Sequence, residues 1–311
     1  MTKILIAEIS GKRPGTSKER PTEKFDYEFD KVIISNNSDG YVTDWPIVNV
    51  PSEYADWYKQ NIAISDKAYY APMNRSYAIK YARERGYDYL IQLDDNIIKY
   101  SICFATKSGR GVFRTLKNTY DLDEMHNDMF RYLIEVLENT SAVMAGMTLP
   151  GVGLPNHGWL AERFDYSAFV LKLSKCPDYF QGDFEDDIEY RLKLKQMGMA
   201  SIQVVPFQYM KTSQHSSHAS EDLSGNRKAY SDVGLDRGKH MSILYGDIYS
   251  RGWSSRGSGN KRKNGKKQFR HKLKPFKVGV LIKNKQKLNN DIQRLFDKYT
   301  TFVPNKLKLK E

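Results

Sequence analysis

Apolar residues recur along the chain in two rhythms. Short, nearly continuous runs bounded by turn-prone residues read as buried strands: Lys3 to Ile9, Lys31 to Ser35, Pro46 to Val50, Tyr87 to Leu93, Val143 to Leu149, Ser167 to Leu173 and Ile202 to Val205. Between them lie stretches with helical spacing. Asn74 to Arg85 opens on a residue suited to capping, sets Tyr77, Ala78, Tyr81 and Ala82 on one face and stops at Gly86. Leu122 to Glu138 repeats the pattern through Met125, Met129 and Leu133. After Gly182 the run D-F-E-D-D-I-E-Y-R-L-K-L-K-Q-M-G predicts an acidic helix start and an end at Gly198, and Leu288 to Tyr299 predicts a last helix. Strands alternating with helices predict an α/β fold, a mostly parallel sheet with flanking helices.

From Ser213 the pattern dissolves, and residues 251–275, rich in Gly, Ser, Asn, Lys and Arg, read as low-complexity and mobile without a partner. The expected organisation is a layered domain over 1–218, a loop and helical region over 219–250, a basic flexible segment over 251–274 and a C-terminal extension with a short helix over 275–311.

Composition narrows the class. With 311 residues, 40% hydrophobic and 13% aromatic, the chain can bury a sizeable core and is no disordered polymer. Cys103 and Cys176 belong to no C-x-x-C pair, which excludes a disulfide framework and a four-cysteine zinc site; both are expected to be buried in a reducing compartment. No segment approaches the roughly eighteen apolar residues of a membrane span, and Met1 to Ile9 carries no cleavage pattern. The expectation is a cytoplasmic protein without a membrane span.

The net charge of +12 is a local device, because residues 248–290 hold fourteen Lys or Arg and no acid, leaving the rest nearly neutral. Arg251, Arg256, Lys261, Arg262, Lys263, Lys266, Lys267, Arg270 and Lys272, with Trp253, Phe269 and Phe276 among them, suit a nucleic acid, where neutralised phosphates release counterions and bases stack on rings. A solubilising linker or a patch for acidic lipid or protein uses the same composition.

Three constellations can carry chemistry. Asp94, Asp95 and Asn96 end a predicted central strand, where open parallel sheets bind ligands, and offer the oxygen ligands that Mg²⁺ and Mn²⁺ prefer; an acidic turn is the plainer alternative. Glu185, Asp186 and Asp187 open a helix, where the dipole favours acids in any case, and a carboxylate there can also serve as general base. His215 and His218 could complete a metal shell or be polar surface. Arg13 and Arg75 are candidates for diphosphate contacts, since a guanidinium pairs bidentately with phosphate, or are ordinary solvated arginines.

The order strand, loop, strand, helix with N-R-S, then Y-L-I-Q-L-D-D-N, then D-D-I-E-Y-R-L-K-L-K-Q-M-G resembles the GT-A glycosyltransferases over roughly residues 3–218. The resemblance implies that Asp94 and Asp95, with Asn96 where the pattern has its last acid, bind metal and sugar nucleotide. Asp187 becomes the catalytic position with Asp186 beside it, Glu189 stands for the later acid and Lys193 for the arginine. N-R-S-Y-A-I, L-D-D-N-I and F-E-D-D-I-E-Y are similar within that superfamily to the phage-type family associated with TET and J-binding-protein oxygenases. That likeness implies transfer of a sugar, glucose above all, from a UDP-sugar with Mn²⁺ or Mg²⁺ to a hydroxymethylated pyrimidine in DNA. Ile9, Arg13 and Arg75 would hold the nucleotide, and His215 and His218 would join the metal. Two other readings stay open: a GT-A transferase acting on a polysaccharide, teichoic-type polymer or protein, and a non-catalytic nucleic-acid-binding protein on a degenerate transferase scaffold.

Overall fold

A computed structural model describes residues 2–105, 112–113, 124–149, 159–162, 165–212, 230, 232–254, 268–273 and 279–301. Its centre is a nine-stranded sheet. β1 (Ile4–Ser10) is buried from Leu5 onward, as a strand sandwiched between helical layers must be. It pairs in parallel with β2 (Asp30–Ser35) and with β4 (Tyr89–Asp94), and β3 (Ile47–Asn49) adds a further parallel strand beyond β2. Beyond β4 the directions mix. β10 (Ala168–Lys172) is antiparallel to β4 and to β8 (Ala142–Thr148), while β11 (Ala200–Lys211) runs parallel to β8 and antiparallel to β5 (Ile97–Ile102). The two-residue strand β9 (Leu160–Ala161) also joins β11, while β6 (Phe104–Ala105) and β7 (Val112–Phe113) form a separate antiparallel pair.

Side-chain alternation along the strands builds two cores. Leu5, Ala7 and Ile9 of β1 point to the face covered by Ala78, Ile79 and Ala82 of α2 (Tyr70–Glu84) and by Tyr190 and Leu194 of α4 (Asp186–Gln196). Ile6, Ile33 and Ile91 point to the other, under Met129, Phe130 and Leu133 of α3 (Met125–Glu138). The C-terminal helix α6 (Lys285–Tyr299) completes that second core with Leu288, Ile292, Phe296 and Tyr299, each worth about 1.5–3 kcal/mol of apolar burial. Both cysteines are buried and unpaired. No described helix is long and apolar enough to cross a membrane.

Several elements depart from the sequence pattern. α2 starts at Tyr70, so Asn74 lies inside it and buried, because Pro72 is harmless in a first turn whose N–H groups lack partners anyway. α1 (Ser52–Asn61) went unread: it buries only two tyrosines, Tyr54 and Tyr58, one turn apart. β11 runs on past Pro206 to Lys211, its pairing to β8 shifting register between Val204 and Gln208. Within the stretch expected to be mobile, β12 (Tyr249–Ser254) and β13 (Gln268–Leu273) form an antiparallel pair. A six-residue helix, α5 (Lys239–Leu244), precedes them. The remainder of that stretch, residues 255–267 and 274–275, lies outside the described residues.

Candidate active site

The carboxyl ends of β1 and β4 open into a cleft of about 680 Å³, where an α/β sheet is expected to take its ligand. A cleft of about 730 Å³ at the opposite strand ends is lined by charges already committed: Lys172 pairs with Glu138 and Arg83 with Asp178 and the carbonyl of Leu173.

The floor of the first cleft is a chain of ion pairs. Arg75 of α2, only 4% exposed, donates through Nη2 to Asp94 Oδ1 and through Nε to Asp186 Oδ2, each at 2.6 Å. It thereby ties the acid at the end of β4 to the acid that opens α4. Lys211, at the end of β11, reaches Asp94 Oδ2 at 2.5 Å and Ser167 Oγ at 2.8 Å. Asp95 accepts the Ser10 hydroxyl at 2.7 Å and lies 3.1 Å from Arg13 Nη1. The turn between β4 and β5 is fixed by Thr22, whose hydroxyl donates to the Asp94 carbonyl at 2.6 Å and accepts from Ile97 N at 2.9 Å.

Burial raises every carboxyl here, and the neighbouring cations oppose it to different degrees. Against burial, Lys211 and Arg75 hold Asp94 well below its ordinary value, whereas Asp95 ends above it despite Arg13 and Ser10. Asp186 is also raised by burial, against Arg75. Asp187 is pushed up to about 8 by burial and then by the neighbouring Asp186. It faces the cleft half-buried, with Oδ1 accepting from Ile188 N at 2.8 Å. Gly182 lets the approach to α4 fold tightly, since a Cβ there would stand 2.4 Å from Asp186 Cα.

Two features brace the rim. Arg20, fully buried, donates to the carbonyls of Arg13 at 2.6 Å and Gly15 at 3.0 Å and lies 4.0 Å over the Tyr41 ring, holding a loop in which Lys12 has φ of 58°. On the other side Glu185 receives Arg237 and His271, the latter at 3.0 Å, and Tyr249 OH lies 2.7 Å from His271 Nδ1.

The cleft thus brings together Ile9, Arg13, Arg75, Asp94, Asp95, Asn96, Asp186 and Asp187. Glu189 and Lys193 stand apart on α4, 3.5 Å from each other, Glu189 fully buried and accepting from Gln181 N at 2.8 Å. His215 and His218 lie outside the described residues, as do Arg256, Lys261, Arg262, Lys263, Lys266 and Lys267. Arg251 is paired with Asp236, while Arg270 and Lys272 are on β13. Sequence reasoning missed Lys211, Ser10, Arg237 and His271. Lys211 had a usable signal, a cation at the end of an apolar run; Arg237 and His271 had none, being carried by segments that read as loop.

No family model and no curated protein matches the chain. Among solved structures it is similar to mannosyl-3-phosphoglycerate synthase from Rubrobacter xylanophilus, with 13% identity and a TM-score of 0.40 over 91% of this chain and 88% of that one. It is also similar to glucosyl-3-phosphoglycerate synthase from Mycobacterium tuberculosis in complex with Mn²⁺, UDP and phosphoglyceric acid, with 8% identity and a TM-score of 0.38 over 91% and 90%.

Proposed function

We propose that the chain is a GT-A type glycosyltransferase that moves a sugar from a nucleoside diphosphate to an acceptor hydroxyl. The observation that carries this reading is the pairing, through buried Arg75, of a carboxylate at a strand end with a helix start that presents a second, protonatable carboxylate to the same cleft. Asp187 is the general base: it takes the proton as the acceptor oxygen attacks the anomeric carbon, and the bond to the diphosphate breaks with its electron pair leaving on phosphate oxygen, inverting the configuration. Lys211 and Arg13, the more exposed partners at 24% and 29% against 5% for Arg75, move from carboxylate to phosphate oxygens when the donor arrives.

Asp94 and Asp95 fit the hold that Mg²⁺ or Mn²⁺ ordinarily has in such sites, one or two carboxylates completed by the substrate's phosphates. Among the described residues no third His, Cys, Asp or Glu joins them. When bound, the ion supplies Lewis-acid neutralisation of the leaving diphosphate. By the sequence resemblance the donor is a UDP-sugar, glucose first. The finer reading places the acceptor in DNA, as a hydroxymethylated pyrimidine, and is supported by the basic segment whose paired strands rise beside the cleft at His271.

The deciding test is transfer of labelled glucose from UDP-glucose into duplex DNA with and without 5-hydroxymethylpyrimidines, with Mn²⁺ or with a chelator. Metal-dependent label in the modified DNA alone is the expected result. UDP release without label would move the acceptor elsewhere, and neither would sink the donor reading. Because Asp187 must be ionised to act, kcat/KM is expected to climb with pH and level off above about 8; a profile flat from pH 6 to 9 would remove Asp187 as base. Replacing Arg256, Lys261, Arg262, Lys263, Lys266 and Lys267 by Ser is expected to weaken DNA binding and flatten its log–log salt slope by about 0.9 for each phosphate no longer neutralised. An unchanged slope would assign the segment another role.

A further inference from the structure

We propose that Arg237 and His271 form an anion subsite on the acceptor side of Asp187, which takes a phosphate carried by the acceptor beside its reacting hydroxyl. The proposal rests on the transferase reading only for the place of that hydroxyl. Arg237 precedes α5 and His271 belongs to β13, yet both converge on one oxygen of Glu185, the residue just before α4. Glu185 is 2% exposed, whereas Arg237 and His271 are 23% and 13% exposed and line the cleft with Asp187. The carboxylate thus lies beneath and the Arg237 guanidinium and His271 ring above, the arrangement in which a buried acid orients donors that an outside anion can draw on.

Each side chain is braced from behind. Arg251 donates to the carbonyl of Arg237 while pairing with Asp236, and Tyr249 OH holds His271 at Nδ1, leaving Nε2 directed at Glu185. Both braces come from β12, so the paired strands fix the geometry of the subsite. The donor end has its own cations, Arg13 and Lys211, committed to Asp95 and Asp94. Arg237 and His271 are instead gathered on Glu185, two residues before Asp187, and line the same cleft. A phosphate ester on the acceptor can share the Arg237 guanidinium with Glu185, and a neutral polysaccharide offers no such partner.

The test is equilibrium binding of 5-hydroxymethyldeoxycytidine and its 5′-monophosphate to the full chain, alone and with Arg237→Ala, Arg237→Lys and His271→Ala. The monophosphate is expected to bind about tenfold or more tightly than the nucleoside, as charge-assisted hydrogen bonds allow. That preference should vanish in the two alanine variants and return in part with Arg237→Lys, while nucleoside binding stays level. Equal binding of the two compounds by the unaltered chain, no binding of the monophosphate, or a preference that survives both alanine variants would overturn the subsite. An oligonucleotide with the same base separates the sources: weakening of both ligands by Arg237→Ala assigns the phosphate to a strand, weakening of the monophosphate alone to a small ester. Hydrolysis of UDP-glucose by the unaltered chain reports the transferase reading separately, so its failure alongside a preserved phosphate preference would sink that reading and leave this one standing.

Discussion

Asp187→Asn is expected to lower turnover by about 10²–10⁴-fold while leaving affinity for the sugar nucleotide nearly unchanged, the signature of a lost general base. Asn keeps the shape and the contact with Ile188 N but cannot take the proton. The same substitution should stabilise the fold, and the sign follows from the raised pKa. The folded chain holds a proton on Asp187 up to about 8, against an ordinary value of 3.8, so its contribution is fully present below that ordinary value and is lost as pH rises through about 8. Asn carries no such loss. Melting temperatures at pH 5 and pH 9 should therefore show a gap in favour of the variant that widens with pH. Retained turnover would remove Asp187 as base, and a gap that stays constant would remove the raised pKa.

Arg75→Met should damage the molecule differently. Arg75 is the charge partner of buried Asp186 and one of two cations on Asp94, so its removal leaves Asp186 uncompensated, at about 3–5 kcal/mol, while Asp94 keeps Lys211. Arg75→Lys should recover little, because an ammonium cannot span two carboxylates with a planar fork. Donor binding and turnover should fall together, in contrast to Asp187→Asn. Urea unfolding checks the stability; a loss below about 1 kcal/mol would mean that the pairs behave like exposed ones.

The two clusters of acids were legible because each sits where an element changes, at the end of an apolar run or the start of a helix. What joins them was not. Arg75 precedes Asp94 by nineteen residues and Asp186 by 111, and no local pattern announces a bridge of that span. Most strands of the sheet could be read from their apolar runs, yet β5 was hidden because Asp95 and Asn96 form a two-residue turn that looks like the start of a loop. β12 and β13 were hidden because backbone pairing, rather than an apolar pattern, makes strands of residues that read as linker.

The brace beneath the loop at Lys12 and Arg13 bears on how a ligand would dock there. Fixing a flexible backbone residue costs roughly 1–2 kcal/mol of conformational entropy, and a loop that ordered only around its ligand would subtract that from affinity residue by residue. Here Arg20 ties Arg13 and Gly15 to Tyr41 and Glu23 before any donor arrives, and holds Lys12 in its left-handed turn. Donor association should accordingly look like docking to a preorganised surface, with the free energy set by the phosphate and base contacts themselves.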